Sequence, residues 1–124
     1  MPVVRMRSTV REGPGSLRRK SLSRSAEEGV QRLTGLMSKD QFFHFREPIE
    51  VRQYREGGLW WHEYKRLGIV GYGKTLAESW DSFIEHFVAY WERIANESDS
   101  RLTESARDYK RTLLALVDAV EPVL

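Results

Sequence analysis

The chain has 124 residues, 40% of them apolar and 31% charged, with four Trp, five Tyr, five Phe, no Cys and a formal net charge of +2. At roughly 100–200 residues per domain this is one domain, and the apolar content is that of a folded protein rather than a disordered one. No apolar run approaches the ~20 residues of a membrane helix, and without cysteine there are no disulfides, thiolate nucleophiles or cysteine-held metals. The basic N-terminal stretch lacks the apolar core of a secretory signal, so a cytoplasmic protein with no membrane association is expected.

The small net charge hides an asymmetry. Residues 1–40 carry nine Lys/Arg against four Asp/Glu, whereas residues 41–124 carry eleven against fourteen. The basic excess centres on Arg18, Arg19, Lys20 and Arg24, after Gly13-Pro14-Gly15. Such a stretch has too few apolar groups to offset the entropy of ordering it, so a flexible segment is expected over 1–40. As a solvated leader it does nothing; as a basic arm it binds nucleic acid by releasing counterions from the phosphates. Within it, Ser25-Ala26-Glu27-Glu28 has the form of a capping box, and Val30, Leu33 and Met37 recur at spacings of three and four. A short helix over 25–37 is therefore predicted, weakened by Gly29 and Gly35 at about 1 kcal/mol each.

A single α+β domain is predicted over 41–124. Residues 41–45 form a short aromatic strand stopped by Pro48, and 49–55 alternate as a second strand. Gly57-Gly58 supplies a tight hairpin turn into the aromatic run 59–64, and 69–72, between glycines, adds a further strand. The result is a small antiparallel meander of three or four strands.

Thr75-Leu76-Ala77-Glu78 is a second capping box, followed by a long amphipathic helix. Its predicted stripe is Leu76, Trp80, Phe83, Ile84, Phe87, Val88, Trp91 and Ile94, which packs on the sheet. Thr103 caps a last helix, whose stripe runs through Ala106, Tyr109, Leu113, Leu116, Val117 and Val120 to Pro122.

Few residues offer chemistry. Gly68-Ile69-Val70-Gly71-Tyr72-Gly73-Lys74-Thr75 matches the phosphate-loop pattern G-x-x-x-x-G-K-[ST], in which amides cradle phosphate, lysine neutralises it and the hydroxyl holds magnesium. A phosphate loop leaves a buried, apolar, parallel strand, whereas His62, Glu63, Lys65 and Arg66 precede this one in an antiparallel hairpin. The alternative to nucleotide binding through Gly73, Lys74 and Thr75 is purely structural: glycines shape a strand end and Thr75 caps a helix. His44, His62 and His86 lack zinc spacing, His62 reads as a surface or half-buried strand residue, and Asp81 with Glu85 reads as a solvated helix face. No cofactor or metal is expected.

Trp60 and Trp61 are more informative. Neighbours on a strand point to opposite faces, so both indoles cannot enter a core made by one covering helix. One of them is covered by another element of the chain or is a partner-binding residue.

The segment 49–92 resembles the HicB-like antitoxins, partners of small RNA-cleaving toxins. The resemblance lies in Ile49-Glu50-Val51, Gly57-Gly58 with aromatics after it, Leu67-Gly68-Ile69-Val70, then Gly73-Lys74-Thr75-Leu76-Ala77-Glu78-Ser79 and the long helix. It implies a hairpin, a third strand, a Gly-x-Thr turn and a helix on the sheet. Leu67 stands where the family usually has proline, and one capped helix follows residue 102 where members often carry a DNA-binding motif. The resemblance implies a non-enzymatic antitoxin that binds a partner toxin without a cofactor. The surplus of apolar surface separately predicts a homodimer.

Overall fold

The computed structural model describes residues 28–123. In chain order they form β1 (Gly29–Met37), β2 (Gln41–Glu56), β3 (Leu59–Tyr64), β4 (Ile69–Gly73), α1 (Leu76–Tyr90), α2 (Glu104–Leu116) and β5 (Val117–Pro122). The fold is α+β: one antiparallel five-stranded sheet, with both helices on the same face. The 16-residue β2 is its centre. β1 runs along one side of β2. On the other side β3 pairs with 52–56 and β5 pairs with 41–45, end to end, and β4 follows β3.

Three expectations change. Residues 29–37, expected as part of a helix, are strand β1, so the ordered domain takes in a stretch assigned to the flexible segment. The helical spacing arises at an irregularity between Leu33 and Gly35, where Thr34 alone on β1 stands opposite 45–48 of β2. That irregularity lets Leu33 and Leu36 face the same core three residues apart. Pro48 has no register partner on any neighbouring strand, so its missing N–H removes no ladder bond, and 41–45 and 49–55 form one strand rather than two. The last helix stops at Leu116, and Val117 and Val120 belong to β5, again three apart across a register shift. The Arg46 guanidinium fixes this reversal: it donates to Ala115 O at 3.0 Å and Val117 O at 3.3 Å, and meets Asp118 at 3.0 Å.

The hairpin forms as read, with Gly57 and Gly58 at φ +64° and +79°, the left-handed pair that a two-residue turn requires. The start of α1 also holds: Thr75 Oγ1 accepts from Glu78 N–H at 3.1 Å, and Glu78 reaches back to Lys74 N–H at 2.9 Å. The core is aromatic. Phe83 and Phe87 are fully buried, and Phe87 meets Phe43 edge-on at 5.2 Å and Phe45 at 5.9 Å. Trp91 adds a further contact to Phe43 at 5.5 Å. Leu76, expected on the stripe, is exposed at the first position of the helix.

Candidate functional site

Strand alternation sorts the two tryptophans. Trp60 shares the helix-side face with His62 and Tyr64 and is 8% exposed, with the Arg55 guanidinium 5.5 Å from its ring centre. Trp61 lies on the opposite face, which neither helix covers. There it is the middle of a cross-strand row. Tyr54 of β2 lies parallel to it within 6° at 6.2 Å, and Tyr72 of β4 stands 5.3 Å away on the other side. Register makes the row, because Tyr54, Trp61 and Tyr72 are direct partners on three adjacent strands. The indole is further fixed by donating from Nε1 to Glu56 O at 3.0 Å.

Charge borders the row. The Arg52 guanidinium lies 4.5 Å from the Tyr54 ring centre and 3.5 Å from Glu63, and Arg32 meets Glu50 at 3.8 Å. Partial burial, with help from Glu63, raises the Tyr54 phenol above its ordinary value, so it stays a neutral donor. Tyr72 is 53% exposed. Tyr and Trp side chains left partly open to solvent, with Arg at their rim, are the kind that dominate protein interfaces. Trp61 was legible as such a residue. Tyr54 and Tyr72 were not, because only the pairing register brings them to it.

The segment that matches the phosphate-loop pattern holds the start of α1 against the sheet. Ile69–Gly73 is an extended strand at the sheet edge rather than a loop. Tyr72 N–H goes to Ser82 Oγ at 3.2 Å, Lys74 N–H to the Glu78 carboxylate at 2.9 Å, and Thr75 Oγ1 to the cap. Gly71 and Gly73 allow α1 to lie directly on β4: a Cβ on Gly71 would stand 2.2 Å from Phe83 N, and one on Gly73 2.5 Å from Glu78 Cβ. Gly73, the Lys74 N–H and Thr75 thus take part in seating the helix.

His62, expected at or near the surface, is 2% exposed. Its Nδ1 accepts from Ser79 Oγ–H, and its Nε2–H donates to Gln53 Oε1 at 3.1 Å, which also accepts from Gln31 Nε2. Burial lowers the imidazole pKa from 6.5 to about 4, so the ring is neutral. With Ser79 fully buried as well, the pair resembles a nucleophile and base but is closed to any substrate. Among the described residues no group of three or more His, Cys, Asp or Glu is placed to hold a metal ion. No described helix is long and apolar enough to cross a membrane. Arg18, Arg19, Lys20 and Arg24 lie outside the described residues.

The described residues form an α+β domain whose sheet has one helix-covered face and one aromatic face that neither helix covers. No family model, curated protein or solved structure matches the chain.

Proposed function

We propose that this protein is a non-enzymatic, cytoplasmic interaction module that acts as a HicB-like antitoxin, neutralising a partner toxin by covering its active site. The observation that carries the reading is Trp61, held between Tyr54 and Tyr72 on the face that the helices leave open. A rigid aromatic row bordered by Arg52 and Glu63 offers a large contact area at little entropic cost, which suits a folded protein partner. The row carries Glu63 and Glu56 beside it, so it suits a polyphosphate strand less well. The chain works as a homodimer, and no cofactor enters the mechanism.

The test uses the product of the neighbouring reading frame. Expressed alone it is expected to arrest growth, and co-expression of this chain should restore growth and yield a stable complex. The Trp61→Ala/Tyr72→Ala double variant should lose both effects while keeping its circular dichroism spectrum. A harmless neighbour, or a double variant that protects as well as the wild type, overturns the reading.

A further inference from the structure

Among the described residues the sheet ends in the strands β1 and β4, and these two edges are treated differently. On β4, the outward groups are occupied by side chains of α1: Tyr72 N–H donates to Ser82 Oγ at 3.2 Å, and Val70 O accepts from His86 Nδ1 at 2.6 Å. This edge is blunted by the helix lying on it. In an antiparallel sheet, residues alternate between bonding one neighbour and the other. Since Val70 and Tyr72 face away from β3, their partners Glu63 and Trp61 face β2, where they meet Arg52 and Tyr54. Gln53, Val51 and Ile49 then face β1 and meet Gly29, Gln31 and Leu33. Val30 and Arg32 therefore present their N–H and C=O groups off the far edge.

That edge strand is long and almost uncharged. Its nine residues, Gly29–Met37, include Arg32 as the one charged side chain and no proline, the devices that usually keep strand edges apart. Val30 stands 56% exposed upon it.

We propose that β1 is the seam of the homodimer, pairing antiparallel with β1 of a second copy about a two-fold axis at Val30. This rests on the self-association proposed above and adds its location, register and charge pattern. With Val30 opposite Val30 of the second copy, Glu28 falls opposite Arg32 of that copy, and Arg32 opposite its Glu28. All four side chains are on the uncovered face, the face on which Arg32 already meets Glu50. A seam one pair further along, centred on Arg32, sets two guanidinium groups against each other. Charge thus selects the register and makes the strand its own complement. The two sheets become one, and the two aromatic rows lie on its common face.

Sedimentation of the full chain at tens of micromolar tests this. The wild type is expected at twice 14.5 kDa. Val30→Pro removes an N–H that points off the edge, so it should leave the β1–β2 ladder intact and yield a monomer. Arg32→Glu, which sets Glu28 against an acid, should also yield a monomer, and Glu28→Arg/Arg32→Glu should restore the dimer. Should Val30→Pro fail to fold, the exposed charge variants decide alone. A wild-type monomer overturns both the seam and the self-association, leaving the edge to residues 1–27 or to another protein. A dimer that survives Val30→Pro or Arg32→Glu overturns the seam alone.

Discussion

Ser79, in the first turns of α1, and His62, in the middle of β3, hydrogen-bond to each other where neither reaches water. The hydroxyl donates to Nδ1, and Gln53 accepts from the opposite ring nitrogen, so each polar atom of the imidazole is satisfied in its neutral form. Trp80 closes the site with its ring 5.1 Å from the imidazole. The contact is a directional pin between helix and sheet in a core otherwise held by non-directional apolar packing.

The pin makes stability depend on acid. The folded His62 pKa, about 4, lies below its unfolded value of 6.5. The unfolded chain therefore binds the proton first, and stability present above pH 6.5 is lost as pH falls toward 4. The full loss is about 3 kcal/mol at 1.36 kcal/mol per unit. Urea denaturation of wild type and His62→Gln between pH 7.5 and 4 checks this. The difference between the two should shrink steadily on acidification, and a constant difference counts against a buried neutral ring.

The aromatic cluster predicts a second effect. Phe87 is fully buried between Phe43 and Phe45, and Trp91 covers the other side of Phe43. Phe87→Ala or Trp91→Ala should cost roughly 3–5 kcal/mol, as large aromatic deletions in cores do. Denaturation midpoints close to wild type for both would show that α1 and the helical turn Trp91–Ala95 after it do not pack on β2 as described.

The segment 68–75 gives a third. Because α1 lies on β4 at Gly71, the Gly71→Ala methyl meets helix backbone, which cannot swing aside as a side-chain end can. The cost should reach the upper end of the about 1–3 kcal/mol typical of overpacking. Lys74→Ala, at an exposed position, should leave the midpoint within about 0.5 kcal/mol of wild type. Calorimetry with ATP or GTP and magnesium should give no heat of binding for the wild type. Saturable binding abolished by Lys74→Ala would return the segment to the phosphate-loop reading.

Local signals in the sequence located the Gly57-Gly58 hairpin, the Thr75 and Thr103 caps and the Phe83–Phe87–Trp91 stripe, since each depends on residues within one or two turns of each other. The failures have a common physical origin. At Leu33/Leu36 and Val117/Val120, an irregularity in strand pairing turns a spacing of two into three, and a spacing of three in isolation reads as helix. Pairing across strands imposes both irregularities, with His44 and Ile49 in the first case and with residues 44–45 more than 70 positions back in the second, so the spacing alone does not contain the cause. His62 was misplaced for the same reason: its burial depends on Ser79, 17 residues on, and on Gln53 across the strand. Of the candidate site, Trp61 was visible by its side-by-side position with Trp60, whereas its flanking tyrosines required the register of three strands.

The two tryptophans should separate stability from recognition. Trp60 is 8% exposed and faces the helix side, so Trp60→Ala should cost about 3–5 kcal/mol and lower the denaturation midpoint sharply. Trp61 is half-buried on the open face, where its contacts are the Tyr54 and Tyr72 rings and one hydrogen bond to Glu56 O. Aromatic pairs of this kind contribute about 0.5–1.5 kcal/mol beyond area burial, so Trp61→Ala should cost about 1–2 kcal/mol and leave the fold intact. Phenylalanine at position 60 should recover much of the lost stability, because volume on the helix side is what matters there. Urea melts of Trp60→Ala, Trp60→Phe and Trp61→Ala decide the matter. A Trp61→Ala midpoint below that of Trp60→Ala would mean that the half-buried indole, rather than the buried one on the helix-side face, holds the sheet together.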